Sequence, residues 1–348
     1  TNVFGLVEVS KRAVPLMRAA GGGVIANVTS SSILAPVPFL GAYRASKAAV
    51  TAIGEALRTG LNLGAHHSRE VDFAEAVTAR FNLDLVRFTN SGTEANMMAL
   101  AAARCFTRRK KIMPMHGGYH GGVLFFTTGS SPVNAPFECV TAPFNDAEGT
   151  QRLIAQHADD LACVLIEPMI GGGCLPASRE FLLMLREETA RRGIVLIFDE
   201  VMTSRLHPGG LSAHHGIEPD LKTLGKYVGG GMSFGAFGGK RAIMEQFDPA
   251  RPNALPHAGT FNNNTLTMTA GHVALTEIFT PAACVALNQR GDRLREDLNT
   301  LFMRYQAPMR ATGMGSMLTV HLVAGEVKTP ADAARADKRL KQLFFLDL

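Results

Sequence analysis

Apolar positions fall at helical spacing twice in the first sixty residues, with a short unbroken apolar run between them. Residues 3–20 read as an amphipathic helix stopped by Gly21, Gly22 and Gly23, and Val24 opens a short buried strand that runs to Thr29. Ser30, Ser31 and Ser32 and a proline-bearing loop then lead into a second helix over residues 42–61. From about Gly64 the pattern changes. Helical stretches alternate with short apolar strands, which predicts an α/β fold with a mostly parallel sheet sandwiched by helices. Two of those strands, over 162–166 and 194–198, are continuous apolar runs, and each delivers a carboxylate at its end, Glu167 and Asp199. The final residues, 340–348, read as an amphipathic helix with neither cap nor stop signal.

Composition changes this picture little. The 348 residues are 46% hydrophobic and 19% charged, as in an ordinary α/β protein of one large or two smaller domains. The net charge of +5 is local, because residues 1–62 hold 6 basic and 2 acidic residues. No broad basic face points to nucleic acid. The five cysteines form no CxxC pair, which predicts buried free thiols in a reducing, cytoplasmic setting. Metal-ligand spacing is absent: the neighbouring histidines His66 and His67, and again His214 and His215, point apart on either a helix or a strand. There is no signal peptide and no apolar run of membrane-spanning length. The chain starts at Thr1, so residues are expected upstream.

The chemistry concentrates in a few turns. Lys226 sits between Gly225 and the run Gly229, Gly230, Gly231, downstream of the strand that ends at Asp199. A strand-end acid followed by a lysine on a tight loop suits pyridoxal phosphate (PLP), which needs an amine for a Schiff base and an acid for its pyridinium nitrogen. Asn90-Ser91-Gly92-Thr93-Glu94-Ala95 has capping-box spacing and should open a helix. Such an N-terminus is a phosphate site or simply a capped helix. In His116-Gly117-Gly118-Tyr119-His120-Gly121-Gly122, glycines flank one of only four tyrosines, as in a ring-stacking loop or a plain surface loop. Asp199 is the expected partner of the ring nitrogen, whereas Glu167 either joins it or orients neighbours. Gly259-Thr260-Phe261-Asn262 is a polar turn before a helix, a second phosphate contact or a cap.

Taken in order, Asn90 to Ala95, Gly118-Tyr119-His120-Gly121, Phe198-Asp199-Glu200-Val201-Met202-Thr203, Thr223-Leu224-Gly225-Lys226-Tyr227 and Ala258-Gly259-Thr260-Phe261 resemble the motifs of class III, fold-type-I PLP aminotransferases. The fuller stretches around Tyr119, Asp199, Lys226 and Thr260 are most similar to aromatic β-amino acid (β-phenylalanine) aminotransferases, and glutamate-1-semialdehyde aminomutases share much of that core. The resemblance implies Lys226 as the Schiff-base lysine and Asp199 at the ring nitrogen. It implies Tyr119 stacked on one ring face and Val201 packed on the other. Ser91, Gly92 and Thr93 would hold the phosphate, joined by Thr260 from the partner subunit of a homodimer. The substrates it implies are an amine or β-amino acid and a keto acid.

Residues 1–62 resemble a different family. Tyr43 and Lys47 lie four apart on one helical face, Ser30 precedes the tyrosine by thirteen residues, and Asn2 adds an asparagine motif, as in short-chain dehydrogenases. The glycine-rich dinucleotide turn is missing, so a fusion scar or a fragment reused for structure is expected, not a dehydrogenase. The expected division is 1–62 dehydrogenase-like, 63–280 PLP-binding, and 281–348 a partial small domain. Aminotransferases of this family carry an N-terminal substrate-lining segment, and beyond the point where this chain stops, an arginine for the substrate carboxylate. Arg205 is the best remaining carboxylate binder, or else part of a structural ion pair. Two other readings stay open: a truncated PLP-binding protein with little activity, and an aminomutase-like isomerase.

Overall fold

The computed structural model describes residues 4–21, 50, 53–54, 60, 66–127, 131–336, 339–340 and 342–343. Helix α1 (Phe4–Ala19) fills the first amphipathic stretch. Asn2, Ser30, Tyr43 and Lys47, the expected strand over 24–29 and most of the expected second helix lie outside the described residues, as does most of 340–348.

The body starts with α2 (Ser68–Phe81), β1 (Leu85–Thr89), α3 (Gly92–Thr107) and β2 (Lys111–Pro114). It continues through α4 (Ala147–Gln156), β3 (Leu161–Ile166), the small hairpin β4 (Met169–Ile170) and β5 (Leu175–Pro176), α5 (Arg179–Arg192) and β6 (Val195–Asp199). Next come α6 (Gly210–His215), β7 (Leu221–Gly225), β8 (Gly235–Gly239), α7 (Arg241–Met244), α8 (Thr265–Val273) and α9 (Pro281–Arg304). A hairpin of β9 (Arg310–Met314) and β10 (Met317–His321), then α10 (Pro330–Ala334), complete the described elements.

Six strands form the central sheet in the order β1-β8-β7-β6-β3-β2. The three pairings from β7 to β2 are parallel and the two made by β8 are antiparallel, so β8 alone runs against the rest. The expected mostly parallel sheet is therefore present.

The strands at its centre are buried from end to end because helices cover both faces. Side chains alternate between two cores. Val164, Ile166, Leu196 and Phe198 meet Phe181, Leu182 and Leu185 of α5. Cys163, Leu165, Val195 and Ile197 meet Ala95, Ala99 and Ala103 of α3. The alanines on the buried face of α3 let its backbone approach the sheet closely, so the start of α3 sits over the carboxyl ends of the strands.

Candidate active site

Four parallel strands end at one cavity of about 310 Å³. β1 leads into Ser91, β3 into Glu167, β6 ends on Asp199 and β7 leads into Lys226, and all four residues line it. Gly92, Thr93, Tyr119 and Val201 line the same space. The sequence had scattered these positions over more than a hundred residues, and the sheet topology brings them together.

Lys226 opens a short 3₁₀ turn, Lys226–Gly229, with φ +50, a left-handed conformation unusual for a side-chain-bearing residue. Among the described residues no hydrogen bond or ion pair engages its amine. Opposite it, Asp199 is almost fully buried (4% exposed). Its Oδ2 accepts from Asn96 Nδ2 and from His120 Nδ1, each at 2.8 Å, and its Oδ1 accepts from the Val201 amide at 3.0 Å. Thr223 Oγ1 donates to Asn96 Oδ1 at 2.7 Å, which turns the Asn96 amide so that its NH₂ faces Asp199. Asn96 and His120 went unassigned in the sequence. The signals were there: a polar residue on the buried face of an alanine-rich helix, and an imidazole between glycines.

The loop after β2 folds back on itself, with Gly117 donating to Phe126 O and Phe126 to Gly118 O, each at 2.9 Å. That places Tyr119 edge-on against Phe125, with 45% of the tyrosine left open to the cavity. Glu167 pins the loop: its Oε2 accepts from the Tyr119 amide at 2.9 Å and its Oε1 from Gly171 at 3.1 Å. Burial pushes the Glu167 carboxyl up to about 7; the nearby His120 and the two amide donors pull it down, and Asp199 pushes it further up.

Ser91 caps α3 by accepting from the Glu94 amide at 3.2 Å. The second half of the expected box is shifted by one residue, since the Glu94 carboxylate accepts from the Asn90 amide at 2.8 Å and not from that of Ser91. The first N–H groups of α3 have no intrahelical acceptor and open onto the cavity. Val201 fills one wall through two glycines: a Cβ on Gly92 would lie 2.9 Å, and one on Gly225 3.0 Å, from its methyl carbons. Gly121 (φ +126) makes room for Thr93, whose Oγ1 lies 2.2 Å from where a Cβ would stand.

Two expected residues lie elsewhere. Thr260 borders a separate groove beside Arg87, His257 and Asn262. Arg205 is half-buried in a short 3₁₀ turn, its carbonyl accepting from Asn288 Nδ2 at 2.9 Å and from the Cys284 thiol, and it does not line the cavity. Met202, Met232 and Phe234, given no role in the sequence reading, add an apolar wall. Among the described residues no cluster of His, Cys, Asp or Glu is arranged to hold a metal.

A mostly parallel sheet with an unpaired lysine, a buried carboxylate and a helix N-terminus at its carboxyl edge defines a fold-type-I PLP-dependent transferase. The aminotransferase class-III family profile matches residues 46–341, and the chain belongs to that family of PLP-dependent transaminases. A short chain dehydrogenase profile matches residues 1–64. The chain is 50% identical over 299 residues to the beta-phenylalanine transaminase of Variovorax paradoxus, covering 85% of this chain and 69% of that protein. It is 38% identical over 311 residues to a glutamate-1-semialdehyde 2,1-aminomutase of Methanothermobacter thermautotrophicus, covering 85% and 73%. The crystal structure of the beta-phenylalanine aminotransferase from Variovorax paradoxus superposes with a TM-score of 0.84 at 48% identity, covering 88% of this chain and 73% of that one. The cofactor is pyridoxal 5′-phosphate, and the residues present fit it: an amine with no partner among the described residues, a buried acceptor, and a cradle at Gly92 with no space for a side chain.

Proposed function

We propose that this chain moves an amino group from an aromatic β-amino acid, with β-phenylalanine as the reference donor, to a keto acid. The observation that carries this is the single cavity holding Lys226, Asp199, Tyr119, Val201 and the start of α3. The 50% identity to a beta-phenylalanine transaminase supports the donor class, and the apolar wall of Met202, Met232 and Phe234 suits an aromatic substituent.

PLP, when bound, supplies the carbonyl that receives the amino group and a ring that takes up the electron pair of the reacting carbon. The protein does the rest. Lys226 Nζ would anchor the cofactor and, once freed by the incoming amine, would take a proton from the substrate carbon and return one, as base and then acid. Asp199 would accept from the ring nitrogen and keep its proton in place. Tyr119 and Val201, which line the same cavity, would hold the ring between them. Ser91, Gly92 and Thr93 hold the phosphate at the positive end of α3. Glu167 keeps the Tyr119 loop at the right height.

We infer a homodimer in which Thr260, on its outlying groove, reaches the phosphate of the partner subunit. The division at 62/63 draws support from the dehydrogenase profile, which ends at residue 64, whereas the aminotransferase profile, 46–341, overlaps it and runs through the proposed boundary at 280/281. Cys163, Cys174 and Cys284 are buried as expected, whereas Cys105 and Cys139 are exposed. All five are free thiols, which suits a cytoplasmic setting, and no single described helix is long and apolar enough to cross a membrane.

The test is the visible absorbance of the purified protein before and after β-phenylalanine, with no keto acid present. Bleaching on addition, restored by a keto acid, is expected. Bound cofactor that does not respond would leave a PLP-binding protein with little activity toward this donor. Conversion of a substrate without any added keto acid would mark an aminomutase-like isomerase. Full turnover with retained cofactor in Lys226→Ala would remove the role given to Lys226.

A further inference from the structure

We propose that His120 is a positioning residue for Asp199, locking its carboxylate through Nδ1 while Asn96 locks His120. This rests on the reading that Asp199 faces the cofactor ring.

The geometry leaves His120 one useful hydrogen bond. Its side chain is fully enclosed, and Nδ1 lies 2.8 Å from Asp199 Oδ2. A carboxylate at Asp199 can only accept, so in that arrangement Nδ1 is the donor. The other ring nitrogen, Nε2, is buried with no partner among the described residues. The ring therefore bears the cost of one unpaired nitrogen, and the bond from Nδ1 to Asp199 is its side chain's polar contact there.

Asn96 Nδ2 donates both to the backbone oxygen of His120, at 2.9 Å, and to Asp199 Oδ2. It therefore ties the loop that carries the imidazole to the acid that the imidazole serves. Thr223, whose Cα is paired with that of Asp199 across β6 and β7, fixes the amide through Asn96 Oδ1. Two donors converge on one carboxylate oxygen from different elements, α3 and the loop after β2. With the Val201 amide on Oδ1, they leave Asp199 no freedom to rotate.

The loop has a second job, because Tyr119 is the next residue along the chain. A movement of His120 would shift the tyrosine over the cavity and the carboxylate below it together. That coupling separates a positioning role from simple packing.

The experiment compares His120→Asn with His120→Gln in the full chain. Both place an amide in the same buried site. The asparagine amide can put an N–H where Nδ1 now donates, whereas the longer glutamine amide reaches toward the Nε2 position. The readouts are the PLP dissociation constant from titrating the cofactor-free protein, the pH midpoint of the bound-cofactor absorbance, and kcat and KM measured separately. His120→Asn should stay within about threefold of the parent in affinity. His120→Gln should weaken it by roughly ten- to hundredfold, as expected for losing a hydrogen bond to a charged group. It should also move the absorbance midpoint and lower kcat more than it raises KM. Equal affinities and equal midpoints in the two variants would overturn the proposal. Asp199→Ala, run alongside, tests the underlying reading separately: an unchanged PLP dissociation constant and absorbance midpoint there would defeat that reading whatever His120 does.

Discussion

Val201 stands where a side chain on Gly92 would have to go, with both of its methyl carbons 2.9 Å from the position of a Cβ on that glycine. Gly92 is the first residue of α3, so the contact sets how closely the helix N-terminus approaches the end of β6. Gly92→Ala should cost about 1–3 kcal/mol of stability through overpacking and should weaken PLP binding. Val201→Ala in the same chain should return part of that loss. A double-mutant cycle on melting and PLP titration checks this, and strictly additive effects would mean the contact does not set the approach.

Asn96→Asp would set a second carboxyl against Asp199 where the amide now donates at 2.8 Å. Two ionised carboxylates cannot share that spacing, so one must hold a proton in the folded state. A carboxyl pushed upward on folding contributes most below its unfolded value and loses that contribution as pH rises. The variant should therefore lose stability relative to the parent as pH rises from about 4 to 8. Chemical denaturation across that range is the measurement, and a pH-independent difference would speak against the pairing.

Glu167 carries a related signature in the parent protein. Burial raises its carboxyl from the ordinary 4.5 to about 7. Its stabilising contribution is thus complete below about pH 4.5 and is lost as pH rises through about 7. Glu167→Gln removes the titration but keeps an acceptor for only one of the two amides, Tyr119 and Gly171. The stability gap between parent and variant should favour the parent most at acid pH and narrow toward pH 8. A gap that widens with pH would contradict the direction of the shift.

The proposed partner role of Thr260 has a direct genetic form. Thr260→Ala and Lys226→Ala chains, inactive or weakened separately, should regain activity when co-refolded. If Thr260 serves the opposite subunit, the mixed dimer carries both lesions in one site and leaves the other intact. Activity approaching a quarter of the parent's is expected from random pairing, where half the dimers are mixed. No recovery, in a preparation shown to contain mixed dimers, would place Thr260 in its own subunit's site or in neither.

Much of the site was readable in the sequence because its chemistry is local. Strand-end acids at Glu167 and Asp199, the cap at Ser91, and the lysine beside Gly225 each depend on a few adjacent residues. The apolar runs that became β3 and β6 announced strands covered on both faces, and helices did cover them. Turn chemistry also carried over: Asn264, closing the polar stretch after Gly259, caps α8 by accepting from the Thr267 amide at 2.9 Å.

Partnerships across the fold were decided by tertiary structure. Asn96 and Asp199 are 103 residues apart and His120 and Asp199 are 79 apart, and only the order of strands and the path of α3 make them neighbours. Hydrophobic periodicity says which face of an element is buried, not what a polar residue on that face will meet. The same limit explains Arg205, which the sequence offered as a carboxylate binder or part of a structural ion pair, and whose 3₁₀ turn packs toward α9 and away from the cavity. The sequence by itself determined the fold class, the cofactor chemistry and the residues at the strand ends, since these follow from propensity and short-range spacing. The tertiary structure alone decided which side chains hold Asp199, how near Val201 comes to Gly92, and which residues stand away from the cavity, because those depend on packing between distant segments.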